Sequence, residues 1–264
     1  MATKEAAIDT SRRSAPQILN SVTKTARDEL ARNSRALAFS GVAGGLSMGL
    51  TGLGVASAQA LLGKGTWQEF VSMLFYPIGF IAVIIGRAQL FTENTLYPVV
   101  LVLDERKHVL NTLRLWGVVF LSNLAGAALF AVLACRTSAL QPKIVDELSR
   151  LGLDIVAQNA STAFWSGVVG GWLIALLAWL VSASHWTIGQ LAIVWLLSFV
   201  VGIGHFSHCI ASSGEILSSV VTGSLPLARY FYWLLPATAG NIMGGVFIVS
   251  LLNWGQVKAG SDED

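Results

Sequence analysis

Two short polar runs break otherwise apolar stretches of this chain. They hold the residue types that can handle charge or a proton in a low-dielectric medium. The first is Arg87 followed by Gln89-Leu90-Phe91-Thr92-Glu93-Asn94-Thr95. The second is Gly202-Ile203-Gly204-His205-Phe206-Ser207-His208, followed by Ala211-Ser212-Ser213-Gly214-Glu215. Within apolar surroundings His208 is a titratable donor that can lend a proton to a weak-acid anion and recover it on exit; the alternative is a neutral histidine bonded between helices. His205 is assigned a structural role. Thr92 and Ser207 carry hydroxyls suited to capping backbone groups freed at a helix break, and Thr92 could also orient His208. Leu90, Phe91 and Phe206 flank these runs and would form apolar constrictions against hydrated ions, or simply pack.

Arg87, Glu93 and Glu215 are the costly residues, because an unpaired charge deep in a bilayer costs at least about 2.5 kcal/mol. An Arg87 to carboxylate bridge is the expected solution. The alternative sets Glu93 in a pore, where it would repel anions and favour a cationic or neutral solute. Other chemistry has no footing in the sequence: there is no His-Glu-x-x-His, Gly-x-Ser-x-Gly or phosphate-binding loop, and no paired histidines for haem. Cys135 and Cys209 have no disulfide or metal spacing, and His108 and His185 stand alone near short loops. No cofactor is implied.

The elements that position these residues follow from composition. Of 264 residues, 54% are hydrophobic and 12% charged, half the charge of a soluble domain. No Asp, Glu, Lys or Arg lies between Arg35 and Lys64, Arg114 and Arg136, Asp154 and Glu215, or Arg229 and Lys258. A span needs roughly 20 apolar residues, which predicts six crossings over 38–62, 70–102, 114–135, 164–183, 187–222 and 230–254. The second and fifth carry the polar runs at mid-depth and are expected to be broken there. The chain then divides into a polar, amphipathic segment 1–36 lying near headgroups, a membrane domain 37–254 and a tail 255–264. No apolar core suggests a cleaved leader, and a nucleic-acid surface is absent. With the N-terminus inside, eleven Lys/Arg face the cytoplasm and five the other side, favouring cytoplasmic termini.

Gly41, Gly45 and Gly49, and again Gly240 and Gly244, form small-residue stripes for helix packing. The halves also correspond: Phe91-Thr92 and Phe206-Ser207 are offset by 115 residues, and Asn123-x-x-Gly126 and Asn241-x-x-Gly244 by 118. Three crossings per half would insert the halves in opposite senses, an inverted repeat whose broken helices meet at the midplane. Half-helix ends there would offer free N–H groups and partial positive charge to a small anion.

From Leu37 to Asn253 these residues resemble the formate/nitrite transporter family. The resemblance rests on Gly79 through Leu90-Phe91-Thr92-Glu93-Asn94, on Asn123-Leu124-Ala125-Gly126, on Phe206-Ser207-His208-Cys209-Ile210-Ala211, and on Pro236 with Gly240-Asn241-Ile242-Met243-Gly244-Gly245. It implies an all-α integral membrane fold of six helices, aquaporin-like, assembled as a homopentamer with one pore per protomer in the bacterial inner membrane. The family's central histidine falls on His208, its partner threonine on Thr92, its constriction on Leu90, Phe91 and Phe206, and its outer slit on Phe80. The family's lysine before the fourth span has no match in Gln158-Asn159-Ala160-Ser161-Thr162-Ala163. An asparagine within that span falls on Gly171, and one after the central histidine on Ser212. Arg87, Glu93-Asn94 and Ser213-Gly214-Glu215-Ile216-Leu217 look like a divergent bacterial branch.

The expected function is passage of small monovalent weak-acid anions, with a proton carried through His208. A pore for neutral or cationic solutes is the competing reading, motivated by Glu93, Glu215 and the missing lysine. A non-conducting scaffold or sensor, binding a partner through residues 1–35, is the third.

Overall fold

The computed structural model describes residues 12–261; residues 1–11 of the expected N-terminal segment and 262–264 of the tail lie outside the described residues. Every regular element described is helical. The order is α1 (Ala15–Ala31), α2 (Ser34–Leu62), α3 (Thr66–Met73), α4 (Ile78–Ile85), a 3-10 turn (Glu93–Thr95), α5 (Tyr97–Glu105), α6 (Val109–Arg136), α7 (Pro142–Val156), α8 (Ala160–Ala183), α9 (Thr187–Ile203), α10 (Ala211–Thr222) and α11 (Leu227–Met243). A π-helical segment (Gly244–Leu251) and α12 (Leu252–Ser261) complete the chain. Five helical stretches are long and apolar enough to cross a membrane, and Thr187–Ile203 is a shorter apolar one. The chain is therefore a multi-pass helical membrane protein.

The two expected interruptions are present. The first separates α4 from α5 and the second α9 from α10. Two long pairs hold the frame, α2 against α6 and α8 against α11. The glycine stripes explain how closely these helices approach. A Cβ on Gly45 would run into the carbonyl of Asn123, and one on Gly171 into that of Asn241. Gly126 and Gly244 likewise face the backbone at Val42 and Val168. With no side chains between them, the backbones meet directly.

Two elements depart from the sequence reading. α1 carries Leu19, Val22, Ala26 and Leu30 on one face, and this face is buried against the protein on α5, α8 and α12 rather than lying free at headgroups. Its last carbonyls are held by Arg114, whose Nη2 donates to Leu30 O at 2.8 Å and Arg32 O at 3.1 Å. Between the third and fourth spans, where no element was expected, α7 buries Leu148, Gly152 and Val156 against α10. Its charges mask this face in a reading that looks for uninterrupted apolar runs, whereas the 3.6-residue period reveals it.

Candidate functional site

Each break leaves backbone groups without helical partners, and in a membrane each such group costs several kcal/mol. One asparagine resolves most of this at each break. Asn123 Oδ1 accepts from Phe91 N at 2.9 Å, while its Nδ2 donates to Gln89 O at 2.9 Å and Gly41 O at 2.7 Å. Asn241 Oδ1 accepts from Cys209 N at 2.9 Å, and its Nδ2 donates to Ser207 O and Gly167 O, both at 2.8 Å. Serines complete the pattern: Gln89 N donates to Ser40 Oγ at 3.1 Å, and Ser207 N to Ser166 Oγ at 2.9 Å. The left-handed residues before each break correspond too, Arg87 at φ 58° and His205 at φ 50°.

The break residues therefore match at a constant offset of 118, pairing Phe91 with Cys209 and Gln89 with Ser207. The offset of 115 between the phenylalanines is a coincidence of sequence, because hydrogen-bonding geometry pairs Ala88 with Phe206 instead: their N–H groups bond Val83 O at 3.0 Å and Val201 O at 3.1 Å. Neither Thr92 nor Ser207 caps freed backbone with its hydroxyl, since the asparagines and serines already do so. Ser207 Oγ donates to Gln158 Oε1 at 3.2 Å.

Thr92 instead meets the histidine. Its Oγ1 lies 2.7 Å from His208 Nε2, and both residues are fully buried. The other ring nitrogen, Nδ1, accepts from Ala211 N at 3.0 Å. A nitrogen accepting from an amide N–H holds no proton, so the ring hydrogen sits on Nε2 and is donated to Thr92. The threonine hydrogen then remains available to an acceptor in the pathway. Protonating Nδ1 requires breaking the Ala211 bond. At the start of α10 three N–H groups are already taken: Ala211 bonds the histidine ring, Ser212 the His208 carbonyl and Ser213 the Ile210 carbonyl.

Cavities open on either side of this pair, and neither reaches it. One, about 50 Å³, adjoins α1 and is lined by Glu29, Arg87, Gln89, Leu90, Glu93 and Tyr97. The opposite one, about 290 Å³, is lined by Glu69, Tyr76, Arg150, Asp154, Phe206 and Glu215, among others. Phe80 closes the centre, its ring 5.1 Å from that of His208 and edge-on to it. Phe91 lines neither cavity; it packs on Trp116 and Phe120 at 5.7 and 4.8 Å.

The charged residues are placed differently from expectation. Arg87 is exposed at the α1-side mouth and makes no ion pair among the described residues, so the Arg87 to carboxylate bridge is absent. Glu93 and Glu215 stay buried at 9% and 5% exposure, one at each cavity. His205 is exposed at the larger cavity, with Nε2 3.3 Å from Glu69. Arg150 occupies the same wall, but Glu147 at 2.6 Å and Asp154 at 2.7 Å pair with it, and Gln59 accepts from it at 2.7 Å. No lining residue of this cavity replaces the family's lysine as an unpaired cation.

The family model for formate/nitrite transporters matches residues 16–255. An Escherichia coli K12 protein described as inner membrane protein YfdC is 33% identical over 233 residues, covering 87% of this chain and 74% of that one. Among solved structures, an FNT family ion channel superposes with a TM-score of 0.82 at 20% identity, covering 91% of this chain and 99% of its own. A pentameric formate channel with formate bound superposes with a TM-score of 0.66 at 19% identity, over 89% and 98% of the two chains.

Proposed function

The chain belongs to the formate/nitrite transporter family, and from this premise we propose that it passes small monovalent weak-acid anions of the formate or nitrite type across the bacterial inner membrane. The observation that carries the proposal is the buried Thr92–His208 bond, set between two cavities and closed by apolar side chains. His208 holds the threonine hydroxyl so that its hydrogen points to a passing acceptor. Phe80 and Phe206 narrow the path on the Glu215 side and Leu90 on the α1 side. Phe91 supports the wall through Trp116 and Phe120.

The architecture that fits is two three-span halves inserted in opposite senses, aquaporin-like, with spans two and five broken; the recurring asparagine pattern at offset 118 supports it. The membrane domain runs 37–254 between an N-terminal segment, 1–36, and a short tail, 255–264, with both termini cytoplasmic and five copies assembled. The formate-bound relative is pentameric, which supports that assembly.

Flux into proteoliposomes tests the function. Formate or nitrite uptake that rises with an inward proton gradient and drops in His208→Ala is the expected result; anion flux unchanged by that substitution would sink it. A second reading, passage of neutral or cationic solutes, draws on one observation: the larger cavity's lining holds Glu69, Asp154 and Glu215 against a single, already paired Arg150. Reversal potentials in ion gradients separate the two.

A further inference from the structure

Between the two cavities the path is sealed by Phe80, Leu90, Thr92 and His208, all fully or nearly fully buried. Moving an unpaired carboxylate through such a medium costs many kcal/mol by desolvation, while a neutral acid pays only for its hydrogen-bonding groups. A weak acid therefore crosses here with its proton on, which requires one group to supply that proton and another to take it back. His208 is poorly placed for this exchange, because the nitrogen that would gain the proton already accepts from Ala211 N.

Two other groups are placed for it. Glu215 is 5% exposed and Glu93 is 9% exposed, and each lines the cavity on its own side of the seal. Neither carboxyl has a hydrogen-bond donor or ion-pair partner among the described residues, whereas the other carboxylates at these mouths that form ion pairs, Glu29, Glu69 and Asp154, are spoken for. Facing Glu215 are Tyr76 beside α4, Glu69 of α3, Arg150 and Asp154 of α7, and His205 after α9. Facing Glu93 are Glu29 of α1, Arg87 after α4 and Tyr97 of α5. Arg150 is tied to Glu147 and Asp154 and offers Glu215 no partner. A buried carboxyl without a donor is satisfied by a proton, and a proton is what the substrate must acquire.

We propose that Glu215 and Glu93 are the proton-exchange groups of this pathway, protonating the weak-acid anion on one side of the Thr92–His208 seal and deprotonating the acid on the other. The inference rests on the weak-acid reading above. In the larger cavity the Glu215 O–H bond breaks as a bond forms to the substrate carboxylate oxygen, leaving Glu215 ionised and the substrate neutral. At the α1 side Glu93 first gives its own proton to the water of its cavity, and the acid's O–H proton then passes to the carboxylate so formed, releasing the anion. Water in the larger cavity returns a proton to Glu215, so one proton crosses with each anion, and the steps run equally in reverse.

The test is formate influx into proteoliposomes of wild type, Glu215→Gln and Glu93→Gln, with influx into protein-free vesicles subtracted. It is measured at neutral pH and again with both faces acidified until bulk formic acid is mostly protonated. The expected result is a loss of about ten-fold or more at neutral pH in each variant, with influx restored to near wild type in acid, where the solution supplies ready-made acid on both sides. Unchanged influx at neutral pH overturns the proposal, since water would then suffice. Slowed influx at both pH values also overturns it, by marking the carboxyls as structural. A rise in influx does so too, by marking them as barriers to anions. If wild type carries no formate at all, the weak-acid reading fails and takes this inference with it.

Discussion

Thr92 Oγ1 and His208 Nε2 stand 2.7 Å apart across 116 residues of chain, each contributed by a different broken span. Because His208 Nδ1 accepts from Ala211 N, the bond has one direction, imidazole to hydroxyl. Thr92→Val keeps the shape and removes the acceptor, leaving Nε2–H stranded. Formate flux in proteoliposomes should fall about ten-fold or more, and unfolding should shift by about 1–3 kcal/mol. Thr92→Ser should retain most of both.

The two asparagines at the breaks are predicted to act alike. Asn123→Leu and Asn241→Leu each strand one N–H and one carbonyl of the break, Phe91 N with Gln89 O and Cys209 N with Ser207 O, and remove a further bond to a helical carbonyl. Each lost partner costs about 1–3 kcal/mol, so either variant should lose more stability than Thr92→Val, measured as the midpoint of thermal unfolding in detergent. A large difference between the two would argue against equivalent breaks.

Close backbone approach gives a third prediction. The Cβ of Gly45→Ala would press on the Asn123 carbonyl and that of Gly171→Ala on the Asn241 carbonyl, and neither is a flexible side-chain end. Each should destabilise by about 1–3 kcal/mol. Gly117→Ala is the control: nothing lies within 4 Å of its Cβ, and it should be neutral or gain up to about 1 kcal/mol of helix propensity.

A pH dependence follows at the end of α5. Lys107 at 2.8 Å, His108 at 2.9 Å and Arg27 at 2.7 Å hold the Glu105 carboxyl down to about 2, from a usual value of 4.5. A carboxyl lowered in the folded state adds stability above its unfolded value and loses it as pH falls through the folded one. The tether from α1 to Glu105 should therefore weaken between about pH 4.5 and 2, seen as lower amide protection in Ala15–Ala31 relative to the intrinsic exchange rate at each pH. Glu105→Gln should abolish that step.

Much of this organisation was legible in the residues. Long gaps between charges marked the spans, the polar runs at Thr92 and His208 marked the breaks, and the glycine stripes marked the close helix pairs. These signals are local: a stretch of apolar side chains is stable in lipid, and a glycine admits a neighbouring backbone, wherever the rest of the chain goes. Asn123 and Asn241 were visible as a repeated motif, yet their task of holding the breaks was not.

Sequence alone determined that this is a helical membrane protein with two interrupted spans, and which residue types stand at the interruptions. Only tertiary structure decided that the breaks align at 118 rather than 115, that Arg87 reaches the surface with no ion pair among the described residues, that Phe91 packs into the wall, and that α7 and α1 bury apolar faces on the protein. It also decided which histidine nitrogen carries the hydrogen. The reason is physical: apolarity and small size act residue by residue along a chain, whereas hydrogen-bond direction, cavity shape and charge pairing depend on which groups the fold brings together, as where Thr92 and His208 meet at 2.7 Å across 116 residues.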